Sequence, residues 1–101
     1  MIKNVFYLKF DDARLNLLDD GIDVDCNQIK LTFVDEGYSV DILESLFSNL
    51  TEGLTIYSCI LQEDGTETDE FIGGYYNQYT LLDSIINNEN GTYTIKLKEY
   101  E

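Results

Sequence analysis

The carboxylates are the residues through which this sequence could do chemistry, because it has no His and only two Cys. Twenty Asp and Glu residues outnumber six Lys and Arg residues, and the formal net charge is −14. Without His, the chain lacks the commonest acid–base group near neutral pH and the commonest transition-metal ligand. Neither Cys26 nor Cys59 is flanked by a cation that would lower the pKa of its thiol. We therefore predict that the protein is not an enzyme; a deep pocket lined by carboxylates would be the feature that reverses this prediction.

Residues 23–27, Asp-Val-Asp-Cys-Asn, form the best candidate metal motif, since they supply the first, third and fifth positions of an EF-hand loop. The sixth position of such a loop requires Gly and holds Gln28, and the twelfth requires Glu and holds Val34. The motif fails where its geometry is most demanding. We expect no metal and no other cofactor, and we interpret the segment as a polar strand edge. Weak calcium binding to clustered carboxylates is the alternative.

Two acidic clusters stand out in the chain. The first acidic cluster comprises Asp11, Asp12, Asp19, Asp20, Asp23 and Asp25, and the second acidic cluster comprises Glu63, Asp64, Glu67, Asp69 and Glu70. No Lys or Arg occurs from residue 31 to residue 95. Carboxylates spaced along strand edges can imitate the phosphates of a nucleic acid and occupy a basic groove. The alternative is a solvated face that discourages edge-to-edge pairing of strands.

An aromatic patch follows the second acidic cluster and comprises Phe71, Tyr75, Tyr76 and Tyr79. Tyr is enriched at protein interfaces, and it is also an ordinary residue of small sheet cores. Both interpretations stay open at this point. If some of these rings are exposed, the second acidic cluster and the aromatic patch form one contiguous binding surface, for which Tyr75 and Tyr76 are the predicted partner-binding residues.

The elements that must position these residues are one helix and several strands. Residues 39–50 are predicted as the helix, with Ser39 as N-cap, Tyr38 and Leu43 as a hydrophobic staple, and Gly53 beyond its end. Its apolar side is expected to cover a sheet and consists of Ile42, Leu43, Leu46, Phe47 and Leu50.

Apolar and polar residues alternate in most of the remaining chain, which predicts strands at residues 5–10, 14–18, 22–26, 28–34, 54–61, 67–72, 79–86 and 92–97. Turns are predicted at residues 19–21, at 27–28 and at 63–66, the last as a type I′ turn at Asp64-Gly65. Gly73 and Gly74 indicate a bulge or a bend. Residues 79–86 also have helical spacing, but their Tyr, Thr and Ile content favours a strand.

The predicted fold class is α+β, with one antiparallel sheet of six or seven strands and one central helix packed on one face. At 101 residues the chain is expected to form a single domain, residues 1–101. Both cysteines lie in or beside apolar runs, so buried free thiols are favoured over a disulfide. The N-terminal apolar run is too short for a signal peptide, and no segment approaches a membrane span. We expect a cytoplasmic protein.

Four segments carry a resemblance to known proteins: residues 27–33, 43–47, 79–86 and 92–97. In the order of these four segments, the chain resembles small acidic proteins encoded by phages and prophages of low-GC Gram-positive bacteria. Some of those proteins look like products of tail-gene regions. The resemblance implies a phage origin and transfers no functional residue. In size and charge alone, the chain is also similar to anti-CRISPR proteins, which inhibit host defence nucleases.

Together these features predict a non-catalytic, phage-encoded acidic protein that inhibits a host nucleic-acid-binding defence protein by nucleic-acid mimicry. The expected partner is a basic protein surface, such as that of a host nuclease. The charge should repel nucleic acid and anionic membranes, so neither is an expected direct partner. The alternative is a small structural phage component, from the tail or from virion assembly, that works through contacts between subunits. The oligomeric state stays open.

Overall fold

One antiparallel sheet of seven strands and one helix make up the described part of the chain. The computed structural model describes residues 2–10, 13–48, 50 and 54–99. Its elements are β1 (Lys3–Lys9), β2 (Arg14–Asp25), β3 (Gln28–Val34), α1 (Val40–Ser48), β4 (Leu54–Leu61), β5 (Glu67–Tyr76), β6 (Tyr79–Asn87) and β7 (Thr92–Glu99). The strands lie in the order β5-β4-β1-β2-β3-β7-β6. The predicted α+β fold with one helix is confirmed, and so is the choice of a strand for residues 79–86.

The sheet is strongly curled. Its two edge strands, β5 and β6, are separated in the chain by Asn77 and Gln78 alone. In a flat sheet of seven strands the edges would lie about 29 Å apart, at a spacing of about 4.8 Å per strand. Three Cα-to-Cα steps reach at most about 11 Å. The sheet must therefore bend until its edges approach, and the ring centroids of Tyr76 and Tyr79 are 6.4 Å apart.

A large bulge in β2 turns one corner of the sheet. We predicted two strands with a turn at residues 19–21, and this prediction is wrong, because β2 continues through that segment. Leu17 pairs with Phe33 and Ile22 pairs with Leu31, so the four residues between them in β2 oppose Thr32 alone. A Cβ on Gly21 would lie 2.4 Å from the carbonyl oxygen of Thr32, so the corner requires glycine. Extra residues bend a strand rather than end it when both flanks keep their ladder partners.

The helix lies against the core side of the curled sheet. It is shorter than predicted, and its N-cap is confirmed, since the Ser39 hydroxyl accepts the amide N–H of Ile42 at 3.3 Å. Leu43 and Phe47 are fully buried, and the Phe47 ring meets Phe10 edge-on with centroids 5.4 Å apart. Ile42 was predicted to face the core and is 47% exposed. Leu43 and Phe47 form the middle of the apolar stripe that faces the sheet, and Ile42 lies at the margin of this stripe. The predicted helix-end residue Gly53 lies outside the described residues.

The predicted turn between β4 and β5 and the predicted bulge in β5 have different outcomes. The prediction of a type I′ turn at Asp64-Gly65 is wrong. Such a turn requires a positive φ at both central residues, and Gly65 has a φ of 89° whereas the φ of Asp64 is not positive. The Gly65 N–H instead donates to the Gln62 carbonyl at 3.1 Å. The predicted bulge at Gly73 is confirmed by a register shift between β5 and β4, and β5 then continues to Tyr76.

Both cysteines are free thiols, as predicted. Cys59 is buried in β4. Cys26 is exposed, contrary to its predicted burial, because it occupies the turn between β2 and β3.

Candidate partner-binding surface

The second acidic cluster is partly neutralised on the face of the sheet that points away from the helix, here called the outer face. The Glu67 carboxylate accepts two hydrogen bonds from the Arg14 guanidinium, at 2.7 and 2.6 Å. The Glu70 carboxylate accepts one from Lys9 Nζ at 2.7 Å and another from the Tyr7 hydroxyl. These bonds join β5 to β1 and β2, so Glu67 and Glu70 hold strands together.

The protonation equilibria of these groups follow from their contacts. The hydrogen bonds from Arg14 hold the pKa of Glu67 below its ordinary value. Lys9 and then Tyr7 lower the pKa of Glu70 in the same way. Burial, followed by the hydrogen bond to Glu70, raises the pKa of the Tyr7 phenol. These perturbed groups are engaged in ion pairs and hydrogen bonds within the fold.

The two cations also cover aromatic rings. The Arg14 guanidinium lies 3.8 Å from the centroid of the Tyr7 ring, and Lys9 Nζ lies 4.6 Å from that of Tyr57. The two rings stack with centroids 6.1 Å apart. We call this set the outer-face network; it comprises Tyr7, Lys9, Arg14, Tyr57, Glu67 and Glu70. Cys59 is buried beside it, and burial raises the pKa of its thiol, which keeps the thiol protonated and weakly nucleophilic.

The described members of the first acidic cluster are exposed and form fewer ion pairs. Asp19 and Asp20 lie in the corner of β2, and Asp23 and Asp25 lie on the last part of that strand. Asp19 is 3.9 Å from Lys3 Nζ, and both side chains are largely exposed, so this ion pair is weak. Among the described residues, no cation forms an ion pair with the other three carboxylates. Asp11 and Asp12 lie outside the described residues.

A cleft contains one residue of each acidic cluster. β1 pairs with β2 only from Tyr7 to Lys9, and beyond that point the corner carries β2 away from β1. A cleft of about 440 Å³ opens between the diverging strands, and both Asp19 and Glu67 line it. Asp19 and Glu67 are therefore distant in sequence and line the same cleft in the fold.

The other members of the second cluster lie in the hairpin and at the start of β5. Asp64 accepts hydrogen bonds from the hydroxyl and then the N–H of Thr66, at 2.6 and 3.0 Å, and both lower the pKa of Asp64. Asp64 therefore stabilises the turn. Glu63 is exposed in the same turn. Asp69 is exposed and has a φ of 59° where β5 bulges against β4.

The aromatic patch is divided between surface and core. Tyr75 is 63% exposed and Phe71 is 46% exposed. Tyr79 is buried, and Tyr76 packs partly buried against the same core. Of the two tyrosines predicted to bind a partner, Tyr75 is therefore presented to solvent, and Tyr76 contributes mainly to packing.

Sequence reasoning missed the outer-face network. Arg14 stands among the aspartates of the first cluster in the sequence, yet its partner Glu67 belongs to the second cluster. Alternation along β1 indicated that Tyr7 and Lys9 share a face. It did not indicate that β4 and β5 bring Tyr57 and Glu70 to that face, because those pairings join distant parts of the chain.

Comparisons with protein-family models, curated proteins and solved structures found no match. Within the described part of the chain, no three or more His, Cys, Asp and Glu side chains are grouped to hold a metal ion. In residues 2–10, 13–48, 50 and 54–99, no helix has the length and apolar character needed to cross a membrane.

Proposed function

We propose that this protein is a non-catalytic binding protein that presents the first acidic cluster to a basic surface of a nucleic-acid-binding protein. One observation carries the proposal: Arg14 and Lys9 form ion pairs with carboxylates of the second cluster, whereas Asp20, Asp23 and Asp25 form none in the described structure. Lys30 lies opposite Asp23 on β3 without forming an ion pair with it. Unpaired charge at a surface attracts an oppositely charged partner and accelerates association.

The placement of these carboxylates supports mimicry of a nucleic acid. Asp23 and Asp25 are two residues apart on one strand, so their side chains leave the same face about 7 Å apart. Asp20 continues the run at the corner. A row of negative charges on a rigid strand resembles the phosphates that a basic groove binds. We propose further that the partner is a host defence protein and that the protein inhibits it after delivery by a phage.

A second candidate function is a structural phage component that associates through its sheet edges. The exposed apolar residues Ile72 on β5 and Leu81 and Ile86 on β6 favour it. The bulges in both edge strands oppose it, because bulges twist an edge away from regular pairing with another strand. Sizing chromatography separates the two: a stable homo-oligomer supports the structural role, and a monomer supports the proposed inhibitor.

Affinity capture tests the proposed function. Wild-type protein and two variants with equal charge are immobilised: Asp20→Asn with Asp23→Asn, and Glu44→Gln with Glu89→Asn as the control. The control residues are exposed on α1 and in the β6–β7 loop, away from the first cluster. Lysate of a low-GC Gram-positive host is applied at low salt.

Wild type and the control variant are expected to retain the same nucleic-acid-binding protein, which added DNA or salt should release. The first-cluster variant is expected to retain much less of it. Recovery of no nucleic-acid-binding protein, or equal recovery on all three surfaces, would contradict the proposal.

A further inference from the structure

Three tyrosine rings lie on the outer face of β1, β4 and β5, and the protein covers two of them with its own cations. Arg14 lies over Tyr7 and Lys9 lies over Tyr57, at 3.8 and 4.6 Å from the ring centroids. The faces of aromatic rings attract cations, and arginine stacks on them particularly well. The third ring, Tyr75, is 63% exposed. Within the described residues, no cation or second ring contacts Tyr75.

The bulge at Gly73 places Tyr75 on the same face as the covered rings. Tyr75 pairs with Thr55, and Ile72 pairs with Tyr57. Thr55 and Tyr57 are two residues apart on β4 and share a face. Ile72 and Tyr75 are three residues apart and would point to opposite faces of a regular strand. The extra residue at Gly73 returns Tyr75 to the outer face, where it joins exposed Ile72 in an apolar surface.

We infer that Tyr75 is the anchor for an arginine side chain of a basic protein partner; this inference rests on the proposed function. Charge complementarity selects the occupant, because a chain with a net charge of −14 draws cationic surfaces toward it. Tyr is also a residue type that contributes most of the binding energy at many interfaces. The partner's guanidinium stacks on Tyr75 as Arg14 stacks on Tyr7, while Ile72 packs against its aliphatic stem.

The experiment uses defined probes in place of the partner: a nine-residue arginine peptide and a nine-residue lysine peptide, titrated at low salt. Full-length wild type, Tyr75→Phe, Tyr75→Leu and Leu81→Ala are compared by calorimetry and by NMR of the tyrosine rings. Leu81 is an exposed apolar residue on the other edge strand and serves as the control. The first-cluster variant Asp20→Asn with Asp23→Asn is titrated in parallel.

Wild type is expected to prefer the arginine peptide, and the ring signals of Tyr75 are expected to shift when it binds. Tyr75→Leu should weaken this binding about three- to tenfold, Tyr75→Phe should retain most of it, and Leu81→Ala should leave it unchanged. Equal affinities of the leucine and phenylalanine variants would overturn the assignment to Tyr75. If the first-cluster variant is nevertheless weakened, the proposed function stands.

Two other outcomes are equally decisive. If wild type binds neither peptide at low salt, the proposed function itself fails and this inference fails with it. If wild type elutes as a dimer that Tyr75→Leu converts to a monomer, then a second copy of the chain covers the ring, and the assignment to a basic partner is overturned.

Discussion

The two acidic clusters have similar composition, but the fold pairs their carboxylates with cations to different extents. In the second acidic cluster, Glu67 and Glu70 are bound by Arg14 and Lys9, and their carboxylates fasten β5 to its neighbours. Among the described members of the first acidic cluster, only Asp19 forms an ion pair, with Lys3 at 3.9 Å, and Lys30 lies opposite Asp23 without forming one. A carboxylate becomes available to a partner protein when the fold leaves it without a cation. Among the described residues, the positions of Lys9 and Arg14 therefore decide that Glu67 and Glu70 are paired, and Asp20, Asp23 and Asp25 form no ion pair.

Removing the Phe47 ring should have the largest effect, because this ring lies in the hydrophobic core to which β1, β2, β3 and β4 contribute. Phe47→Ala is expected to lower the free energy of unfolding by about 3–5 kcal/mol, since the ring is fully buried. Denaturant titration followed by circular dichroism measures this. Ile42→Ala on the same helix is the control, with an expected loss below about 1 kcal/mol. Equal losses would mean that the helix faces the sheet differently.

Substitution of Gly21 should affect the first acidic cluster more than the second, because it distorts the corner that carries Asp19 and Asp20. The added Cβ would lie 2.4 Å from a backbone oxygen, so Gly21→Ala should cost about 1–3 kcal/mol. NMR should show large shifts around the corner and small ones around Glu67. Asp20→Asn is the control, with a change below about 0.5 kcal/mol. A fully stable Gly21→Ala protein would contradict the close approach at this corner.

Removing the charge of Glu67 should weaken the fold modestly and change its pH dependence. Glu67→Gln breaks a partly exposed ion pair with Arg14, which solvent limits to about 0.5–1 kcal/mol at neutral pH.

The sign of the pH effect follows from the direction of the shift. The folded-state pKa of Glu67 is lowered, so its stabilisation is present above the unfolded value of about 4.3 and is lost as the pH falls through the folded pKa. Wild-type stability should decline below about pH 4, and that of Glu67→Gln should decline less steeply. Chemical denaturation across this pH range measures both. Parallel curves would show that the ion pair contributes nothing.

Most of the secondary structure could be predicted from local patterns. The strands at residues 28–34 and 54–61 and the cap at Ser39 follow from alternation and from side-chain hydrogen bonding to the helix start. The corner at Gly21 could not be predicted, because an Asp-Asp-Gly sequence is typical of a turn between two strands. Only the pairing of both flanks with β1 and β3 shows that the strand continues.

The acidic and aromatic residues of the candidate surface could be predicted from the sequence. The contacts between their side chains could not. The sequence indicates that Asp23 and Glu67 are both acidic strand residues. It does not indicate that Arg14 crosses to Glu67, because that contact depends on the order β5-β4-β1-β2. Exposure of Tyr75 and burial of Tyr79 likewise depend on where each strand lies in the curled sheet.

The salt dependence of the affinity for the arginine peptide, measured on variants of each cluster, shows which cluster binds a cationic partner. The variants are Asp20→Asn with Asp23→Asn, and Glu67→Gln with Glu70→Gln, which remove equal charge. We expect the first pair to weaken binding more than the second and to lower its dependence on salt, with the fold of each variant confirmed by circular dichroism. A greater loss from the second pair in a folded protein would contradict the assignment of binding to the first acidic cluster.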